Sequence, residues 1–330
     1  QLEEIYTHAL RSFNRYRGDP IEIIDGALTI APDFIMGHIL RAHVHISLWE
    51  RSVLPELGTM LKRLTQLAPK ANDREQRQIQ VLSQWAAGNW DGARTTLDYL
   101  SAYYPHDLLA LQAGHLGDFF HGDRENLRGR VARALPHWKV GEPGYGFLLG
   151  LNAFGLEECA SYQAAEEMAH RALEINLDDC WAQHAIAHVM EMQGRQQEGI
   201  AFMLERKAHW SQEDSAFKYH NWWHTALFHL DQGATDQALK IYDQGIRPEP
   251  SDLQMTMLDA VAMLWRLHLQ DVNVGQRWEE LANLYDADDE AGFYVFNDMH
   301  AMMALVATGR QESSDSRLAS VEAATNSSNT

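Results

Sequence analysis

Gly88 and Gly122 lie 34 residues apart, each closing one amphipathic run and opening another, and Ala160 and Gly194 repeat that spacing further on. Gly233 and Gly309 continue the series at wider intervals. A period of this length is that of a two-helix unit, and one such unit cannot cover its apolar face until the next stacks on it. Between the turns the apolar residues recur with helical periodicity, and no convincing run of alternating β-branched residues interrupts them. The expected fold is all-α: an α-solenoid, a right-handed superhelix of about eight antiparallel helix pairs. Residues 1–310 read as one repeat domain, with irregular joins at 136–146 and 247–253 taken as bends. Residues 311–330 turn to Ser, Asp, Ala and Asn and read as a polar, mobile tail.

Composition narrows the function classes. The chain has 330 residues, 45% of them hydrophobic, enough for a sizeable core. A net charge of −19, with no Lys/Arg cluster to offset it, repels a phosphate backbone and an anionic membrane surface. Nucleic acid and membrane are therefore excluded as partners. Cys159 and Cys180 are the only cysteines, too few for a disulfide framework or a cysteine metal knot, which fits a reducing cytoplasm. No apolar run reaches the length of a bilayer span, and Gln1-Leu2-Glu3-Glu4 carries no basic and apolar leader pattern.

Chemistry-bearing residues concentrate on three helices. In 179–195 the apolar Trp181, Ala185, Ala187, Val189, Met190 and Met192 predict one helix ended by Gly194, and His184, His188 and Glu191 fall at i, i+4 and i+7 on one face. Two imidazoles and a carboxylate on one face suit zinc or another divalent metal with a position left for water. Ala185 stands where a zincin helix carries its general-base Glu, so that motif is not matched. His220, Trp223 and His224, with Asn221, form a second cluster suited to a planar or cationic ligand. Asn297, Asp298 and His300 form a third, with Asn297 and His300 as far from Gly309 as Asn221 and His224 are from Gly233. His43 and His115 occupy earlier helices of the same kind. For each histidine the competing reading is a satisfied polar network. No phosphate-binding glycine loop, nucleophile elbow or cysteine signature is present.

The stretch Gly88-Asn89-Trp90-Asp91-Gly92-Ala93 with Leu97, Leu100 and Pro105 resembles the turn and second helix of a tetratricopeptide repeat, as do Tyr162, Ala165, Ala172, Leu173 and Asn176. More specifically, the chain resembles the tetratricopeptide repeat protein 38 family. The resemblance rests on Phe34-Ile35-Met36-Gly37-His38, Arg74-Glu75-Gln76-Arg77, Leu108-Leu109-Ala110-Leu111, His184 with Ala187-His188 and Glu191-Met192, His220-Asn221 with Trp223-His224, Val274-Gly275-Gln276-Arg277-Trp278, and Phe296-Asn297-Asp298 with His300. It implies an all-helical repeat fold with no assigned reaction, and further helical repeats past the end of this chain. It also implies that first helices line a concave surface, which sets His184, His188, Glu191, His220, Trp223 and His224 in one groove.

Two functions follow as expectations. One is the binding of a small organic ligand or peptide in a His/Trp-rich concave groove. The other is a hydrolase or lyase in which His184, His188, Glu191 and His224 act with or without a divalent metal.

Overall fold

The structure, a computed structural model, describes residues 1–327, and these form helix–turn–helix pairs in tandem. In chain order the pairs are α1 (Leu2–Asn14) with α2 (Pro20–Ile30), α3 (Ile35–Ile46) with α4 (Leu54–Leu67), α5 (Asp73–Ala86) with α6 (Trp90–Tyr103), and α7 (Leu108–Phe120) with α8 (Arg124–Ala134). Then come α9 (Tyr145–Glu158) with α10 (Tyr162–Ile175) and α11 (Cys180–Met192) with α12 (Gln196–Glu205), followed by the short α13 (Lys207–Trp210). The series closes with α14 (Lys218–Asp231) and α15 (Thr235–Ile241), α16 (Gln254–His268) and α17 (Arg277–Ala287), and α18 (Val295–Ala307) and α19 (Gln311–Ser327). Among the described residues there is no β-strand, only an isolated bridge between Arg17 and Ser215. This is a tetratricopeptide-like helical-repeat fold.

The repeat turn has one local cause. Gly88, Gly122, Gly194, Gly233 and Gly309 all adopt φ between 69° and 75°, the left-handed conformation that ends a helix. In each, the next residue's N–H reaches back to a carbonyl of the last turn, as from Asn89 to Gln84 (2.8 Å) and from Arg195 to Met190 (2.8 Å). Ala160 holds the same position with φ 58°, and Ser161 bonds back to Leu156 at 2.9 Å. Tyr16 (φ 51°), Trp49 (φ 54°) and Asp271 (φ 55°) play the part after α1, α3 and α16. Pairs with no glycine at the turn bring the total to nine, one more than the sequence period suggests.

The described residues group into two compact units. The first comprises 1–47, 54–195 and 202–217. Its interior holds Leu40, Leu64, Leu82, Leu97, Leu109 and Phe154, and one fully buried ion pair in which Arg130 donates to both carboxylate oxygens of Asp118 (2.7 and 3.0 Å). The second unit comprises 48–53, 196–201 and 218 onward, with a core of Leu227, Met257, Leu264, Trp278, Leu281, Tyr285 and Leu305. Residues 48–53 are fastened within it: Glu290 accepts the N–H groups of Arg51 (2.6 Å) and Ser52 (3.1 Å), and Glu50 accepts that of Gln254 (2.8 Å).

From residue 311 the expectation of a polar, mobile tail gives way to a helix. Buried Arg317 on α19 donates to Asp298 at 3.1 Å, to the Tyr285 carbonyl at 3.2 Å and to Asp288, so a composition that looks like tail is anchored by one guanidinium. Ser328, Asn329 and Thr330 lie outside the described residues. No described helix is long and apolar enough to cross a membrane.

Candidate functional site

In the first unit the organising element is α11. Asp179 caps it, its Oδ1 accepting the Ala182 N–H at 3.0 Å, and burial pushes that carboxyl up to about 7 against the backbone bonds that favour its charge. From this end the helix carries Trp181, His184 and His188 into an aromatic cluster. The two imidazoles meet edge to face at 4.2 Å. Around them stand Phe154 of α9 (5.1 Å from His184, 5.4 Å from His188), Trp181 (5.2 Å from His184) and Phe217 (5.1 Å from His184). Tyr16 stacks on Trp181 at 5.5 Å, its hydroxyl accepting from Gln112 at 2.7 Å. His184 is buried, while His188 keeps about a quarter of its side chain exposed (24%).

The carboxylates brought beside His188 are on α9. Glu157 Oε2 lies 3.3 Å from His188 Nδ1, and ligand-capable atoms of Glu157, Glu158 and His188 lie within 4.8 Å of one another. Burial pulls the His188 pKa down, but Glu157, Glu191 and Glu158 outweigh it and the net shift is upward. Glu158 is raised by burial and by its neighbour Glu157. Thus Glu191, grouped with the histidines by helical spacing, raises His188 through its charge, and Glu157 of α9 reaches the same ring at 3.3 Å. Sequence reasoning passed over Glu157 and Glu158, although two acids in the last turn of a helix oppose the helix dipole and mark the place.

The two earlier histidines diverge. His115 joins the cluster, 5.8 Å from Trp181 and 5.9 Å from Phe154, and burial drives it down to about 3, so it is neutral across the physiological range. His43 is held elsewhere in the unit: its Nε2–H donates to Gln78 at 2.7 Å, and Gln78 in turn donates to Asp107 at 3.0 Å. Burial lowers His43 to about 4 despite the Gln78 bond. Its contacts are those of a packed polar network.

In the second unit the site is built on α14. His220 donates from Nδ1 to Asp259 of α16 at 2.8 Å, and its Nε2 faces His224 Nε2 at 3.2 Å, one turn along. Because Nδ1 of His220 carries the proton given to Asp259, a neutral His220 accepts the proton of His224 through Nε2. Trp223 stacks on His220 almost parallel (5.6 Å, 8°), and the Arg266 guanidinium sits 4.9 Å over the indole. These stacking partners engage the indole, and its Nε1 is buried without a hydrogen-bond partner. Asn221 is wholly buried with neither amide atom paired.

His300 of α18 belongs to the same neighbourhood. Its pKa is lowered by burial first and Arg266, against the Phe296 carbonyl that it contacts through Nδ1 at 2.8 Å and the charge of Asp259. Asp259 was not singled out in the sequence, although it is the one charged residue within the mostly apolar run from Met255 to Trp265. Asp298 points elsewhere: it accepts from Arg317 and from the Gly292 N–H at 3.2 Å, and burial raises its pKa overall. Asn297 is buried beside it in sequence. Glu157, His184, His188, His220, His224, Asp259 and His300 all sit on first helices of their pairs.

No protein-family model matches the sequence. Among solved structures, the human IFIT1 dimer with PPP-AAAA aligns at a TM-score of 0.55 and 12% identity, over 88% of this chain and 68% of its own. A tetratricopeptide repeat protein from Parabacteroides merdae ATCC 43184 aligns at 0.49 and 13% identity over 92% and 98%. Yeast Tom70 aligns at 0.43 and 12% identity over 93% and 81%. At such identities the likeness to IFIT1 is one of fold alone.

Proposed function

We propose that this chain is a helical-repeat protein of the tetratricopeptide repeat protein 38 type that binds a compact, hydrogen-bonding organic ligand on the first-helix face of α14. One observation carries the reading: Asn221 and the Trp223 Nε1–H are buried on the same short stretch with no protein partner, beside the oriented His220–His224 couple. Buried polar groups are rarely left unpaired, because each costs about 1–3 kcal/mol, so their concentration next to two imidazoles supports a ligand that pairs them. The stacked partners of Trp223 favour recognition by hydrogen bonds at its edge over stacking of a planar ligand. His184, His188 and His115 supply a second imidazole and aromatic cluster in the first unit. A polynucleotide such as the PPP-AAAA seen with IFIT1 is disfavoured here by the net charge of −19. Two unpaired cysteines support a cytoplasmic setting.

The test is a thermal-shift screen of tag-free protein against small organic acids, polyols, amines and short peptides, with hits measured again on Trp223→Phe. The proposal expects a hit that raises the melting temperature of the parent and loses most of its effect in the variant. Hits that act equally on both would place the ligand elsewhere.

The Asp259–His220–His224 series favours a second reading, acid–base catalysis by a hydrolase or lyase, because a carboxylate that fixes an imidazole tautomer is how such bases are oriented. Turnover of a bound hit, lost in His224→Gln while binding is retained, would distinguish it from binding alone.

A further inference from the structure

We propose that Glu157, Glu158 and His188 form a binding site for one divalent first-row metal ion, held between the end of α9 and the middle of α11. The geometry carries this. Glu157 is 5% exposed, and its Oε2 meets His188 Nδ1 at 3.3 Å in an ion-pair contact that lacks hydrogen-bond geometry, with no other described partner. A buried carboxylate oxygen with no well-formed hydrogen bond is expensive unless a cation neutralises it. Glu158 is adjacent, and the three ligand-capable atoms lie within 4.8 Å of one another. An ion at about 2.0–2.2 Å from each ligand would draw them from within 4.8 Å to separations of roughly 3–3.5 Å.

The local charge points the same way. Both glutamates occupy the last turn of α9, where the helix dipole is negative and acidic residues are ordinarily disfavoured. Glu191 adds a further negative charge on α11, and the guanidinium acting on Glu158 through its charge is that of Arg124. Two carboxylates and one imidazole suit manganese, iron or zinc, whose preferences lie between oxygen and nitrogen donors. Three protein ligands leave positions for water or for a small-molecule donor, as catalytic metal sites do. The set shares His188 with the metal site expected from the α11 spacing and takes its carboxylates from α9. It goes beyond the ligand reading on α14 and is tested separately from it.

The experiment uses the full, tag-free chain, stripped with chelator and then titrated with Mn²⁺ by electron paramagnetic resonance and with Zn²⁺ by calorimetry. The parent is expected to bind one equivalent. Glu157→Gln and Glu158→Gln should each weaken binding by about 10–100-fold or more, since even partners of metal ligands have effects of that size. Trp223→Phe should leave metal binding unchanged. Glu158→Gln, at a partly exposed position, keeps the test decisive should the buried substitution disturb folding. A parent that binds neither ion, or variants of both glutamates that bind as the parent does, would overturn the proposal.

Discussion

His220 and Asp259 are joined across α14 and α16 by a 2.8 Å hydrogen bond that fixes which imidazole nitrogen carries the proton. Replacement by Asp259→Asn removes the charge that assists this bond. It should lower stability by about 1.5–3 kcal/mol, the range for hydrogen bonds to charged groups. Nitrogen chemical shifts of His220 should pass from one tautomer to a mixture. Unchanged shifts would mean that Asp259 does not orient the ring.

Acid should destabilise the first unit through His43. Burial holds its pKa down to about 4 in the folded chain against 6.5 for an ordinary histidine, so the folded form binds fewer protons between those values. The stabilisation is present above pH 6.5 and is lost as pH falls towards 4. From pH 7 to pH 5 the loss is about 2 kcal/mol for this group. His43→Gln, which cannot titrate, should flatten the denaturation free energy over that interval relative to the parent, and an equal slope in both proteins would refute the assignment.

Ala160→Gly should stabilise the protein by about 1 kcal/mol, because alanine is strained at a φ of 58° where glycine is not. Glycine also widens the unfolded ensemble, which sets the ceiling on the gain. Chemical denaturation of the two proteins measures it, and a loss of stability would show that the left-handed turn is not a strained position.

Arg317→Ala should cost about 3–5 kcal/mol, since it leaves the buried Asp298 and the partly buried Asp288 without their cation. Hydrogen exchange should quicken first along α19. Protection equal to that of the parent would separate the helix from its anchor.

How legible these features were follows from what a one-dimensional pattern contains. Glycine in the left-handed turn is visible, so the pairs that turn at Gly88, Gly122 and Gly194 could be read directly. Tyr16, Trp49 and Asp271 make the same turn with side chains that carry no such signal, and the sequence period falls one pair short of the nine observed. Helical spacing likewise put His184 with His188 and His220 with His224, since residues four apart share a face. The partners that matter most, Asp259 and Glu157, come from other helices, and inter-helix register has no period in the sequence. Arg317 shows the converse: one buried cation among polar residues turns an apparent tail into a helix.

The most direct test of the central claim is calorimetric titration of the tag-free protein with a ligand identified by thermal shift, compared across the parent, Trp223→Phe and Asn221→Ala. If the ligand pairs the unpartnered groups of α14, each substitution should weaken affinity by about 5–150-fold, the equivalent of roughly 1–3 kcal/mol for one lost hydrogen bond in a buried site. Affinities equal to the parent's in both variants would contradict it.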